Sequence, residues 1–199
     1  MACSSLSKFE IMINRIIEKP FYFVRHGETD WNKNRIYQGR SDIPLNSTGI
    51  QQAGSIAALL KDEPIAHIVC SPLLRAKITA EIIGTHLNKP IVIIDELQEL
   101  SLGEKEGQPI GDGDVFDKWL TGITPCGGES AADFDARVIS GLLKGLSFPA
   151  PTLFVSHGAV FTAIRRLLKL PLDRIQNCQV IYHEPTKYED IPWISTVIE

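Results

Sequence analysis

The chain lacks a Cys-x-x-Cys pair, a long apolar run and a surplus of positive charge, and each lack removes a class of protein. Its four cysteines, Cys3, Cys70, Cys126 and Cys178, are scattered, which offers neither a thiolate metal motif nor a redox dithiol. A chain of 199 residues builds its core without a disulfide framework, so reduced thiols in a cytoplasmic protein are expected. No segment approaches the ~20 apolar residues of a membrane span. The best apolar piece of the N-terminus, Phe9 to Ile17, is interrupted by Glu10, Asn14 and Arg15, so it does not read as a secretory leader. Twenty basic against 24 acidic side chains leave a net charge of −4, the opposite of what nucleic-acid binding draws on. With 44% hydrophobic and 22% charged residues, the composition excludes a disordered or fibrous chain. Residues 1–20 read as an N-terminal extension, with Met12 as an alternative start, and residues 21–199 as a single domain.

What is present is an alternation of short β-rich runs with longer helical patterns. Phe21 to Val24 after Pro20, Ile65 to Cys70, Ile91 to Ile94 and Thr152 to Val155 read as buried strands. Between them lie helical patterns: Asn46 to Leu60, capped by Asn46 or Ser47, and a helix opened by Pro72 that carries Leu73, Ala76, Ala80, Ile83 and Leu87. Phe134, Val138, Leu142 and Leu146 form a stripe along a third helix, and a fourth comes after Gly158. Gln179 to His183 and Trp193 to Ile198 read as terminal strands. This order predicts an α/β fold, a three-layer α/β/α sandwich with a mostly parallel sheet. Residues 103–128, rich in glycine, read as an excursion over the sheet edge with a short helix near Val115 to Leu120.

Open parallel sheets bind ligands at the carboxyl ends of their strands. Two strands here end in nearly the same phrase, Val24-Arg25-His26-Gly27 and Val155-Ser156-His157-Gly158. His26, His157 and a carboxylate could ligate a metal. Arg25 beside His26, and Arg75 in Ser71-Pro72-Leu73-Leu74-Arg75-Ala76, argue for an anion instead. Guanidiniums stay protonated and repel a divalent cation, whereas they fork onto phosphate oxygens. Neutral imidazole is a competent nucleophile toward phosphorus, and the acids of Asp95-Glu96-Leu97-Gln98-Glu99 offer a proton for a leaving alkoxide.

Arg25-His26-Gly27-Glu28-Thr29 with Trp31-Asn32 resembles the signature of the histidine phosphatase superfamily, in its phosphoglycerate mutase-like branch. The similarity continues, in family order, through Asp42-x-Pro44-Leu45-Asn46-x-x-Gly49-x-x-Gln52-Ala53 and Ser71-Pro72-Leu73-x-Arg75-Ala76-x-x-Thr79-Ala80. It then takes in Glu99-x-x-x-Gly103-x-x-Glu106-Gly107, Gly127-Gly128-Glu129-Ser130 and Val155-Ser156-His157-Gly158. The resemblance implies that His26 is the phosphorylated nucleophile, that Arg25, Arg75 and His157 form the phosphate pocket, and that Glu99 is the proton donor. It also implies that Asn32, Gln38, Gly39 and Gly158 line the substrate. No metal and no cofactor are expected. The expected partner is a small phosphorylated substrate, with no nucleic acid and no membrane, and the chain is expected to be a monomer or homodimer. Two departures stand out. Lys105 occupies a position where many members have an aromatic, and Asn46 replaces a threonine, one good cap for another.

The leading expectation is therefore metal-independent phosphomonoester hydrolysis through a phosphohistidine. The rival is phosphoglycerate mutase-type transfer, disfavoured because the segment between Gly107 and Gly127 is short for a lid that excludes water. A binding module without turnover is a third reading, disfavoured because all the chemical residues are present. Glu28 reads as a structural partner of the Arg-His loop, and His67, His86 and His183 as ordinary surface or core histidines. Arg165, Arg166 and Lys169 read as a solvated helix face. Arg40 either fringes the pocket or balances Asp42.

Overall fold

β-Branched and aromatic residues along the central strands are buried on both faces of the sheet, and their alternation between the faces builds two cores on one sheet. The computed structural model describes residues 19–111, 115–171, 173–188 and 191–199. Most of the expected N-terminal extension and Cys3 thus lie outside the described residues. Strand β1 (Phe21–Arg25) runs parallel to β4 (Thr152–Ser156), in a register that sets Phe21 beside Thr152 and Arg25 beside Ser156. On the far side of β4 lie β2 (His67–Cys70) and then β3 (Ile91–Ile93), both parallel. On the other side of β1, β5 (Val180–Tyr188) and β6 (Ile191–Ile198) form an antiparallel pair. The sheet order is β3-β2-β4-β1-β5-β6. The mostly parallel α/β sheet expected from the sequence is present, with an antiparallel edge where a short connection turns β5 back as β6.

Tyr22, Val24, Ile68, Leu153 and Val155 face α2 (Ser47–Leu59) and α3 (Leu74–Leu87) in one core. Phe21, Phe23, Val69 and Phe154 face α5 (Ala131–Leu146) and α6 (Gly158–Leu167) in the other. The stripe Phe134, Val138, Leu142 and Leu146 is fully buried there. Helix α2 begins as its sequence asks, with the Asn46 side chain accepting from the Gly49 N–H at 2.9 Å. Helix α3 starts two residues after Pro72, and its first N–H, at Leu74, donates to Asp42 Oδ1 at 2.6 Å. A distant loop thus caps this helix, which no local pattern announces.

Two features depart from expectation. A short helix α1 (Asp30–Lys33) comes after β1, held by a capping box between Thr29 and Asn32. Arg165 is buried rather than solvated: its Nε donates to the Pro171 carbonyl, it pairs with Asp173 at 3.2 Å, and it lies over the Phe161 ring. Arg166 pairs with Asp135 and covers Trp119, so of the three cations Lys169 alone is exposed. Guanidinium planes stack on rings while other donors reach a carbonyl and carboxylates at the helix edge, which lets the pair pack inward. The expected helix in the excursion, α4 (Val115–Leu120), buries Trp119 edge-on against Phe134.

Candidate active site

Because β1 and β4 are neighbours in the same direction, both strand-end histidines emerge at one edge of the sheet. The His26 N–H donates to the Ser156 carbonyl at 2.9 Å, and the two imidazole rings lie 5.2 Å apart between centroids. Both side chains are buried, as is Arg75, which enters from the first turn of α3. Gly27 is required after His26, since a Cβ there would fall 2.5 Å from the Gly49 carbonyl oxygen at the start of α2.

His26 Nδ1 lies 2.7 Å from the Gly27 carbonyl oxygen. A carbonyl only accepts, so Nδ1 carries the proton and Nε2 keeps its lone pair. Burial, then the charges of Arg75 and Arg25, push the His26 pKa well below the usual histidine value. His157 is lowered likewise by burial and Arg75, with His26 and Arg25 adding to the effect. Both rings are therefore neutral at physiological pH. His157 Nε2 lies 2.8 Å from Ser71 Oγ, and Ser71 Oγ accepts from the Leu73 N–H. With the hydroxyl as donor to Nε2, the His157 proton stands on Nδ1, a buried atom without a hydrogen-bond partner.

The guanidiniums are held by carbonyls. Arg75 donates to Gly39 O at 2.7 Å and Ser41 O at 2.8 Å, and Arg25 donates to Ile175 O at 2.9 Å. The Nε atoms of both are buried and unpartnered. Burial lowers the Arg75 pKa to about 10, opposed by Glu99 and Asp42, so it stays cationic at neutral pH. Burial also lowers Arg25, and Glu99 again opposes the shift. Thr79 joins the two walls: its Oγ accepts from the Gly27 N–H and donates to the Arg75 carbonyl.

Glu99 sits at the start of α6, where its Oε2 accepts from the Ala159 N–H at 3.2 Å and its Oε1 from the Leu100 N–H. The Glu99 main chain is gripped from outside. Arg137 donates to the carbonyls of Glu96, Gln98 and Glu99, and Arg40 donates to that of Glu99. Glu129 bridges both cations, 2.8 Å from Arg137 and 3.1 Å from Arg40. Burial alone would raise the Glu129 pKa, but the Arg137 hydrogen bonds and both positive charges hold it below the usual carboxylate range. Arg40 therefore serves the loop of Glu99, while Asp42 caps α3.

A cavity of about 230 Å³ opens at this edge. Of the expected residues, Arg25, His26, Asn32, Gln38, Gly39, Arg75, Glu99 and Gly158 line it. His157 lies behind this lining, against His26. Gly39 has φ +51°, and a Cβ would strike Glu106, whose carboxylate accepts from the N–H groups of Arg40, Ser41 and Leu102. Glu28 ties the loop to α2, as expected, through the Asn46 amide at 2.9 Å. Lys105 hydrogen-bonds Gln108 and takes no part in the lining.

The histidine phosphatase superfamily (branch 1) matches this sequence over residues 21–190. The chain belongs to that family. A Bacillus subtilis (strain 168) relative, "Uncharacterized phosphatase PhoE", is 41% identical over 143 residues, covering 71% of this chain and 72% of its own. "Probable phosphoglycerate mutase GpmB" of Yersinia enterocolitica is 34% identical over 191 residues, covering 88% and 87% respectively. Among solved structures, a mycobacterial glucosyl-3-phosphoglycerate phosphatase in complex with VO3 superimposes with a TM-score of 0.75 at 27% identity, covering 90% of this chain and 98% of that one.

Within this histidine phosphatase fold, several site residues escape a reading of the sequence. Asn177 donates to the His26 carbonyl and to Asn32 Oδ1, and Arg174 and Ile175 line the cavity. They come from a segment with no periodicity and no motif. Arg137 could have been noticed as a cation on the polar flank of the α5 stripe, but its carbonyl partners lie about forty positions upstream.

Proposed function

We propose that the chain is a metal-independent phosphomonoesterase that works through a phosphohistidine on His26. The single observation that carries this reading is the state of His26: a neutral ring, its Nδ1 proton spent on Gly27 O, beside two guanidiniums with unpartnered buried Nε atoms. His26 Nε2 attacks phosphorus, the P–N bond forms and the P–O bond to the alcohol breaks. Glu99 protonates the leaving oxygen. Water, giving its proton to Glu99, then attacks the phosphohistidine and releases inorganic phosphate. Arg25, Arg75 and the His157 Nδ1–H face the charge that spreads over the equatorial oxygens, and donors already fixed there need no reorganisation during the step.

The mycobacterial neighbour bound to VO3, an oxyanion, supports this reading, as does the word phosphatase in the names of that neighbour and of the Bacillus relative. The site's fixed charges also support it, since buried guanidiniums attract phosphate and repel a divalent cation. Among the described residues, no three His, Cys, Asp or Glu side chains are grouped as a metal site requires. No helix among the described residues is long and apolar enough to cross a membrane, and a cytoplasmic location fits this reading.

The experiment is phosphate release from a panel of phosphomonoesters in chelator, with rapid-quench isolation of an acid-labile phosphoprotein. Turnover in chelator and a labelled intermediate absent from His26→Ala are expected. Release that survives His26→Ala overturns the nucleophile, and loss of activity in chelator overturns the metal-free mechanism. Interconversion of 2- and 3-phosphoglycerate without phosphate release assigns the chain to mutase chemistry instead.

A further inference from the structure

The lining of the cavity carries two main chemistries, with Asn32, Gln38, Thr162 and Arg174 as further polar members. One part is the charged cup of Arg25, His26, Arg75 and Glu99. The other is a wall of Ile36, Tyr37, Leu102, Ile110, Phe116 and Ile175. The wall is rigid rather than incidental. Residues 35–37 and 107–110 are stitched together by Tyr37 N–H to Gln108 O, Gly107 N–H to Tyr37 O and Ile110 N–H to Arg35 O, with a bridge between Ile36 and Pro109. Tyr37 adds a hydrogen bond from the Val115 N–H to its hydroxyl, tying α4 to the same ladder. Phe116 stacks on Trp119, which is buried and donates its indole N–H to the Glu129 carbonyl. Ile175 borders the cup directly, since its carbonyl holds Arg25.

A substrate whose phosphate fills the cup must place its alcohol portion against this wall. A polyhydroxylated alcohol laid on the wall would strip water from its own polar groups and gain few partners from the wall itself. A hydrocarbon body removes apolar surface from water on both sides. We infer that the wall selects monophosphates of small, hydrocarbon-rich alcohols, alkyl or aromatic, with Phe116, Ile110, Leu102 and Ile36 as the specificity-determining side chains. The volume, about 230 Å³, is below the ~300 Å³ at which pockets for drug-sized ligands begin, so the body is small. The inference rests on the phosphatase reading for its substrate but on the lining for its chemistry.

The test separates the two. In the first arm, ethyl, butyl and hexyl phosphate share nearly the same leaving-group acidity, so any trend in kcat/KM reports binding of the chain. We expect a rise of roughly fourfold for each added methylene until the wall is covered, with glycerol 3-phosphate below butyl phosphate. In the second arm, the matching alkylphosphonates, which have no scissile ester bond, are titrated by calorimetry. Kd is expected to fall by roughly fourfold per methylene with a negative heat-capacity change. Phe116→Ala and Ile110→Ala should each flatten both slopes. A flat series, a preference for glycerol 3-phosphate, or slopes unchanged in both variants overturns the inference. Failure to hydrolyse any monoester counts against the phosphatase reading alone, because the phosphonate titration still decides the wall.

Discussion

The two strand ends Val24-Arg25-His26-Gly27 and Val155-Ser156-His157-Gly158 are nearly the same phrase, lie side by side in register, and end in different environments. Past His26 the chain makes a loop before α1, so the imidazole reaches the cavity with Nδ1 tied to its own neighbour's carbonyl. Past His157 helix α6 starts at once, with His157 as its N-cap, and the ring is turned inward against Ser71. The preceding residues diverge as well. Arg25 sends its guanidinium to the cup, whereas Ser156, its partner in register, spends its hydroxyl on the Leu97 carbonyl at 2.8 Å, in the loop that leads to Glu99. Nearly equal sequence at two strand ends thus yields one ring at the cavity and one ring behind it, because a loop beyond the first and a helix beyond the second give each imidazole its own partners and direction.

The sharpest way to break this comparison is to remove each ring in turn. His26→Ala should lower kcat/KM by at least about 10⁴-fold and abolish the labelled intermediate. His157→Ala should lower it by about 10²–10³-fold, the scale of losing one charge-stabilising donor, with labelling slowed but present. Single-turnover quench measures both, and a reversed order breaks the asymmetry. The register pair comes next. Arg25→Ala is expected to cost about 10³-fold in kcat/KM. Ser156→Ala leaves a buried carbonyl unpaired and should cost about 1–3 kcal/mol in denaturant unfolding with a much smaller loss of activity.

A smaller effect tests the tautomer. Ser71→Ala removes the donor that keeps the His157 proton on Nδ1, so kcat should fall by about 10–100-fold, with KM changing less. The smallest concerns what the two rings share. Both have folded pKa values depressed below the unfolded value of about 6.5, so the unfolded state binds more protons in the window below it. Stability is therefore complete above about pH 6.5 and declines as pH falls, by up to about 1.4 kcal/mol per pH unit for each ring. His183 behaves likewise, its pKa pushed down by burial and by Arg165 to about 3. Urea unfolding at pH 7 and pH 5 should show the decline, and His157→Gln should remove one ring's share of the slope.

Much of this molecule is legible without coordinates. Phe21 to Val24 and Thr152 to Val155 announce buried parallel strands, Asn46 announces a helix cap, and the Phe134–Leu146 stripe announces a buried face, because each is set by spacing within a few residues. The strand-end histidines and Arg75 are legible for a related reason, since they lie in short phrases whose chemistry is written locally, whereas Glu99 stands apart from Asp95 and Glu96 only through the family resemblance. What escaped depends on long-range closure. The Asp42 cap of α3, the Ile36–Pro109 bridge, the burial of Arg165 and the support of His26 by Asn177 all join segments that share no local pattern.

Sequence alone settled the order of the six strands and the longer helices, the faces they bury and the residue types able to hold a phosphate, since propensity and periodicity act over one or two turns of chain. Only the tertiary structure decided which imidazole faces the cavity, which carbonyls lock the guanidiniums, and that an apolar wall stands beside the charged cup. Those outcomes arise from hydrogen bonds and packing between segments brought together by the sheet, and no local spacing encodes them.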